Sequence, residues 1–263
     1  MSVWASKRKA MYLFSVLGFF AVVASVPLYF ALQTEPTCFD GRQNQDERGV
    51  DCGGVCELIC PFDVSPLSLL WSRSFIVANG VYNAVAFIEN PNFDVAVLEI
   101  PYSFQLYDSE NLLIVERRGT TFISTNGITP IFEPRIQTGV RVPVRTFFEF
   151  TGPIRWHRIN DPKEIVIVEQ ELQNADTEPR IEALVENKSL NEAKDVEVVA
   201  VVFDTAGNAM AVSQTLVQQL RGQTKVPIFF TWPLSFNNQA GRLDVIPRVP
   251  PRQPNPIDID NVR

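Results

Sequence analysis

The chain has 263 residues, of which 46% are hydrophobic, and a formal net charge of −7. This hydrophobic content excludes a disordered polymer, and the acidic balance argues against a nucleic-acid-binding protein, which usually carries a basic patch. The length accommodates two small domains, or one domain with appendages.

The first predicted element is a transmembrane helix at the N-terminus. The segment Met11–Leu32 is 22 residues long and contains no charged residue. A helix of this length spans roughly 33 Å, which is enough to cross the hydrocarbon core of a bilayer. Because Lys7, Arg8 and Lys9 precede it, the positive-inside rule places residues 1–10 in the cytoplasm and the remainder of the chain outside.

A cleaved signal peptide is the competing interpretation of this segment. The apolar core of a signal peptide is usually about 7–15 residues long, and a small-residue cleavage site follows it. This segment is longer and lacks such a site, and Cys38 follows Glu-Pro-Thr rather than the small apolar residues that precede a lipid-modified cysteine. We therefore predict a single-pass anchor in the cell membrane, with an extracytoplasmic C-terminal bulk.

A cysteine-rich acidic segment, residues 33–66, follows the helix. It contains all four cysteines of the chain, Cys38, Cys52, Cys56 and Cys60. In an extracytoplasmic compartment these favour two disulfides, and three pairings are possible. A zinc site is a weaker alternative because only half of the paired C-x2-4-C pattern is present, and the redox motif C-x-x-C is absent.

The same segment resembles a cysteine motif of bacterial surface and secreted proteins. The motif reads C-x-D-G-x-x-N-x-x-E-x-x-V-D-C-G-G-x-C, and the sequence from Cys38 to Cys56 matches it. The resemblance implies a surface-exposed, disulfide-stapled module near an anchor or between domains, and it implies no activity.

Four oxygen-bearing side chains in this segment raise the possibility of a calcium site: Asp40, Asn44, Glu47 and Asp51. Calcium takes six to eight oxygen ligands in irregular geometry, and a bound cation would offset the repulsion between clustered carboxylates. The alternative is that these side chains cap turns in water. Their spacing differs from the EF-hand pattern.

From residue 67 onward the sequence predicts a mostly β fold. Apolar runs alternate with polar residues at a period of two and are separated by Asn, Gly, Pro and Asp, which is typical of strands in antiparallel sandwiches. We predict two tandem immunoglobulin- or fibronectin-like β-sandwiches. Their bounds are residues 67–160 and 161–247, and a proline-rich tail occupies residues 248–263.

An internal repeat supports the two domains. Glu89-Asn90 matches Glu186-Asn187 at an offset of 97, Asp108 matches Asp204 at 96, and Asn111 is aligned with Asn208 at 97. The later segments 140–150 (VRVPVRTFFEF) and 224–232 (TKVPIFFTW) are aligned less surely. A shared offset over separate segments predicts duplication of one domain.

The repeated motifs resemble those of the late-embryogenesis type-2 or water-stress (WHy) domains. In these domains an Asn-Pro-Asn triplet, here Asn90–Asn92, ends the first strands of an immunoglobulin-like sandwich, and residues 104–108 read as the related F-x-L-Y-D signature. The resemblance implies a binding or structural module. From the residues alone, the Asn and Asp side chains are expected to form turns at strand ends.

The sequence offers little support for an enzyme. His157 is the only histidine, and we expect it to pack with Trp156 at the junction of the two domains. Glu169 and Glu171 are expected on a solvated strand face. Asn187 begins a glycosylation sequon, which matters only where the source modifies such sites.

The predicted function is a non-catalytic protein-interaction or structural module of the cell envelope, with an unidentified envelope protein as its partner. Strand edges and loops are the expected contact surfaces. The alternative is a solute-binding or stress-protective envelope protein of the water-stress type. No cofactor other than calcium is predicted.

Overall fold

The computed structural model describes residues 3–32, 36–159 and 164–251. The N-terminal helix α1 runs from Val3 to Leu32 and contains Pro27. Its apolar stretch Lys9–Tyr29 is long enough to cross a membrane, and no part of that stretch is buried. A helix of this kind fits a membrane anchor or a signal sequence. The junction Gln33–Glu35 and the tail beyond Pro251 lie outside the described residues.

Apart from a 3₁₀ helix at Pro61–Asp63, the described secondary structure after α1 consists of β-strands, in keeping with the predicted fold class. The strands are β1 (Leu58–Ile59), β2 (Ser68–Ala78), β3 (Val81–Asn90), β4 (Val95–Tyr107), β5 (Leu113–Ile123), β6 (Gly127–Gln137), β7 (Arg145–Phe150), β8 (Trp156–Arg158), β9 (Ile165–Gln173), β10 (Arg180–Asn187), β11 (Ala193–Asp204), β12 (Ala209–Leu220), β13 (Thr224–Thr231) and β14 (Ala240–Arg248). They form four antiparallel sheets, in the orders β2-β3-β6, β1-β8-β4-β5 with β7 also on β4, β9-β10-β13, and β12-β11-β14.

Two apolar cores organise these sheets into two sandwiches. The first sandwich packs β2-β3-β6 on the sheet of β4, around side chains such as Ile88, Phe104 and Ile131. The second packs β9-β10-β13 on β12-β11-β14, around Val198 and Phe230 among others. Alternate residues of each strand enter these cores because successive side chains of a strand point to opposite faces.

A third apolar cluster joins the two sandwiches. Trp71 and Phe87 from the first sandwich pack with Phe203 from the second, and the Trp71 ring stacks on Phe87 with centroids 4.3 Å apart. Strands β3 and β11 are therefore buried on both faces. Trp156 instead lies in the core of the first sandwich, so the expectation that it packs the domain junction was wrong.

The two sandwiches repeat one strand order. The sheet β2-β3-β6 corresponds to β9-β10-β13, and β7-β4-β5 corresponds to β14-β11-β12. Pro130 of β6 lies opposite Phe87 of β3, and Pro227 of β13 lies opposite Leu184 of β10, at the same offset of 97. Both prolines occupy edge strands, where the missing N–H breaks no ladder bond.

This correspondence corrects part of the sequence alignment. The counterpart of β13 is β6, and not the segment 140–150 that contains β7. The two segments were aligned wrongly because both contain proline and phenylalanine residues. Asn111 donates its N–H to the carbonyl of Asp108, Gly207 donates its N–H to the carbonyl of Asp204, and both have a positive φ. The counterpart of Asn111 is therefore Gly207, and the alignment of Asn111 with Asn208 was off by one residue.

Candidate functional site

The cysteine segment contains the two disulfides that the sequence predicts. Cys38 is bonded to Cys56, Cys52 and Cys60 are also disulfide-bonded, and no described cysteine is free. Of the three possible disulfide pairings, the structure therefore contains the one that includes Cys38–Cys56. Disulfides of this kind persist in oxidising compartments, which supports an extracytoplasmic location.

Glu47 holds the cysteine segment together from its interior. It is only 7% exposed, and one carboxylate oxygen accepts hydrogen bonds from the backbone N–H groups of Asn44 (3.2 Å) and Asp51 (3.3 Å). The other oxygen lies 3.1 Å from the sulfur of Cys56. No sequence pattern distinguishes this buried acidic residue from the half-buried Asp40 and Asp51 or the exposed Asp46.

The other predicted calcium ligands also accept hydrogen bonds from the segment itself. Asp51 accepts the N–H of Gly41 at 3.0 Å, and Asp40 accepts the side-chain amide of Asn44 at 2.7 Å. The amide of Asn44 is the largest influence that lowers the pKa of Asp40. These bonds match the turn-capping alternative, and calcium binding by the four residues stays a prediction.

The ligand atoms that do converge within 4.8 Å are those of Cys38, Glu47 and Cys56. The two sulfurs are joined in a disulfide and offer no thiolate to a metal. In its oxidised form this group therefore binds no zinc, and its arrangement is a staple around a buried carboxylate.

Two glycines allow the segment to close on itself. Gly53 and Gly54 both have positive φ, where side chains are disfavoured. A Cβ at Gly54 would lie 1.8 Å from the carbonyl oxygen of Asp46. Only glycine fits this close approach of two backbone segments.

The repeated asparagines and aspartates are structural. Asn90 is fully buried and donates its side-chain amide to the carbonyls of Val95 and Ser124, and Asn187 donates in the same way to Asn191 and Leu220. A glycan on the Asn187 amide would break these bonds, so the folded domain does not accommodate one. The strand-end turns that the sequence predicts at these positions are present.

The two aspartates form matching turns at the other end of the sandwiches. Asp108 accepts the N–H groups of Glu110 and Leu112, and Asp204 accepts those of Ala206 and Asn208. A hydrogen bond from Arg141 lowers the pKa of Asp108, and the N–H of Asn208 is the main influence that lowers the pKa of Asp204.

His157 lies on β8. Its Nδ1 is buried without a hydrogen-bond partner, 3.7 Å from the Glu57 carboxylate. Glu169 and Glu171 are exposed on β9, as the strand alternation predicts.

Arg248 forms a buried polar contact between the sandwiches that the sequence did not reveal. Its side chain is 5% exposed and donates to Glu197 of β11 at 2.6 Å and to the Thr121 hydroxyl of β5 at 2.8 Å. The guanidinium also lies over the ring of Phe122, 4.7 Å from its centroid. Burial lowers the pKa of Arg248, and the charge of Glu197 opposes this shift.

An exposed apolar surface lies at the end of the first sandwich that carries the Asp108 turn. We call it the valine patch, and it consists of Leu112, Leu113, Val140, Val142, Val144 and Phe147. Val140 is 99% exposed, and the other five are 45–61% exposed. Exposed apolar side chains grouped in this way mark a candidate interaction surface.

Hydrogen bonds fix the backbone beneath this patch. Arg141 donates to the carbonyls of Leu113 (3.0 Å) and Leu112 (3.3 Å) and bonds the carboxylate of Asp108. The N–H of Val144 donates to the carbonyl of Tyr107 at 2.8 Å. The apolar side chains are thus presented on an ordered loop.

The corresponding loop of the second sandwich, residues 232–239, differs in part. Trp232 is 8% exposed and belongs to the core, Phe236 packs against the same core, and Leu234 is 49% exposed. This loop therefore exposes one large apolar side chain, where the loop of the first sandwich exposes three valines.

Comparison with known proteins adds no family. No family model matches the chain, and no curated protein matches it. Among solved structures it is similar to red sea bream transglutaminase, with 12% identity, a TM-score of 0.24, and coverage of 70% of this chain and 29% of that one. A β-glucuronidase of Bacteroides uniformis has 11% identity, a TM-score of 0.20, and coverage of 66% and 22%. The chain spans less than a third of either protein, and at these TM-scores the similarity establishes neither fold nor activity.

Proposed function

We propose that this chain is a single-pass membrane protein whose extracytoplasmic sandwiches bind a protein of the cell envelope without catalysis. The helix α1 supports an anchor, because its apolar stretch is exposed along its whole length. The two disulfides support an oxidising compartment outside the cytoplasm. Lys7, Arg8 and Lys9 support a cytoplasmic N-terminus.

The two sandwiches are copies of one ancestral domain of the water-stress type. Their shared strand order supports this part of the proposal, as do the paired hydrogen bonds of Asn90 and Asn187 and the matching turns of Asp108 and Asp204. Such bonds at offsets of 97 and 96 are a stronger sign of duplication than short motifs, because they place equivalent side chains in equivalent turns.

The valine patch is the observation that carries the proposed interaction. Its side chains are apolar and exposed, and their backbone is held by Arg141. Interfaces gain most of their affinity from a preorganised apolar centre with a polar rim. The loop of residues 232–239 exposes Leu234 but packs Trp232 and Phe236 on the core, so the three exposed valines are particular to the first sandwich.

Capture of partners from native membranes tests the proposal. The full chain should recover a stoichiometric envelope protein, and the triple variant Val140→Ser/Val142→Ser/Val144→Ser should lose it. The matched control is Leu190→Ser, since Leu190 is 88% exposed and lies outside the patch. Recovery of no stoichiometric partner, or equal recovery by the triple variant, would refute the role of the patch.

Membrane anchoring is tested separately. The chain isolated from membranes should resist alkaline extraction, and its intact mass should include residues 1–32. A mature chain that begins after the helix would instead show a signal sequence.

A further inference from the structure

The edge of strand β12 differs from every other long edge in the described sheets. Edge strands expose unpaired backbone groups, and proteins usually protect them with charges, prolines or short length. The other long edges of this chain contain such residues: Arg73 in β2, Glu116 and Arg117 in β5, Pro130 in β6, Arg145 in β7, Glu169 in β9, Pro227 in β13 and Pro247 in β14. Strand β12 spans 12 residues and contains no charge, proline or glycine.

The structure shows which part of this edge is available. The carbonyl of Val212 accepts a hydrogen bond from the indole of Trp232 (3.3 Å), and the carbonyl of Leu220 accepts one from the side-chain amide of Asn187 (3.0 Å). Both donors lie outside the β12 sheet. Alternate residues of an antiparallel strand present their backbone groups to the same side. The register stays constant from Ala193 to Val202, although Asp195 and Gln218 are not paired. The backbone of residues 214, 216 and 218 therefore points to this same free side.

These three residues form a short, neutral row. Leu216 is 52% exposed, Gln218 is also exposed, and Gln214 is half-buried. Among the described residues, the backbone groups of Gln214, Leu216 and Gln218 have no hydrogen-bond partner outside β11.

We infer that β12 pairs with β12 of a second copy of this chain and joins two three-stranded sheets into one. An antiparallel pair centred on Leu216 places Leu216 opposite its own copy and Gln214 opposite Gln218. This register forms about six backbone hydrogen bonds, because each of the three outward residues exchanges two. The row is self-complementary, since amide side chains both donate and accept, whereas a charged edge would repel itself.

Membrane anchoring favours this occupant over a foreign strand. Identical chains held in one membrane plane meet at a high effective concentration, which compensates for a short contact. The dimer is independent of the valine patch, which lies on the other sandwich.

Cysteine cross-linking of the full chain in membranes tests the register. In Leu216→Cys the new thiol is the only unpaired one and faces its own copy, so mild oxidation should give a covalent homodimer. The matched control is Thr120→Cys, because Thr120 is exposed and occupies the corresponding position of β5 at the offset of 96. The β5 edge carries Glu116 and Arg117. The Thr120→Cys variant should therefore still dimerise through β12 but form no intermolecular disulfide.

A charge series provides the second measurement. Leu216→Lys places two like charges opposite each other, and the dissociation constant should rise at least roughly tenfold. Gln214→Glu/Gln218→Lys pairs opposite charges across the same register and should preserve the dimer, whereas Gln214→Glu/Gln218→Glu should not. The inference is overturned if both cysteine variants cross-link equally, if the wild type is monomeric in membranes, or if the Leu216→Cys variant cross-links to a different protein.

Discussion

Replacement of Arg248 by methionine should weaken the contact between the two sandwiches. Arg248 joins β14 of the second sandwich to Thr121 of the first, and it also bonds Glu197. Methionine keeps an apolar chain of similar length over Phe122 but donates no hydrogen bond. The substitution therefore removes the polar contacts and leaves most of the packing.

The magnitude follows from the surroundings of each group. A hydrogen bond to a charged group contributes about 1.5–3 kcal/mol, and a neutral one contributes about 1 kcal/mol. The Glu197 side chain is 36% exposed, so water solvates its carboxylate after the substitution. The full penalty of leaving a buried charge without its partner, about 3–5 kcal/mol, therefore does not arise. Relief of the buried guanidinium, whose Nε has no partner, offsets part of the loss. We expect a net destabilisation of about 2 kcal/mol.

Urea denaturation followed by tryptophan fluorescence measures this loss. Trp71 lies in the cluster between the sandwiches and reports on their separation, while Trp156 and Trp232 report on the separate cores. The control is Arg118→Met, because the Arg118–Glu116 pair is similarly close at 2.8 Å but Arg118 is 74% exposed. If both variants unfold at the wild-type midpoint, or shift it equally, Arg248 does not link the sandwiches.

Three further outcomes are expected. Glu47→Gln should speed reduction of the disulfides by dithiothreitol, because an amide oxygen accepts the two buried N–H bonds less strongly than a carboxylate does. Gly54→Ala should leave alkylatable thiols after expression, since its Cβ meets the Asp46 carbonyl, whereas Gly41→Ala, with nothing within 4 Å, should leave fewer. Because the pKa of Asp108 is lowered in the folded state, its contribution to stability is present above the unfolded pKa of about 4 and is lost as the pH falls through the folded pKa. Asp108→Asn should therefore make the free energy of unfolding depend less on pH in this acidic range.

Much of the fold was predictable because it follows from local patterns. Period-two alternation identified the strands, and the offset of 97 between Asn90 and Asn187 identified turns that the structure confirms. The cysteine count and the uncharged N-terminal stretch predicted two disulfides and an apolar helix. Each of these inferences depends on residues that lie close together in the chain.

The features that sequence analysis missed depend on long-range contacts. Thr121 and Arg248 are separated by 127 positions, and no local pattern connects them. The interface between the sandwiches did leave a signal, since β11 contains an unbroken apolar run from Val198 to Phe203. Such a run indicates a strand buried on both faces, which a single sandwich with one solvated face does not provide.

The positions at which the two sandwiches differ are more informative about function than those they share. Asn90 and Asn187 make the same bonds, and that likeness is explained by folding alone. In contrast, the loop before β7 exposes Val140, Val142 and Val144, whereas the loop before β14 exposes Leu234 and packs Trp232 and Phe236 on the core. Likewise, β12 is neutral where β5 carries Glu116 and Arg117. A scaffold that folds equally well with either arrangement leaves these positions free to acquire separate roles. This divergence is why we assign partner binding to the first sandwich and self-association to the second.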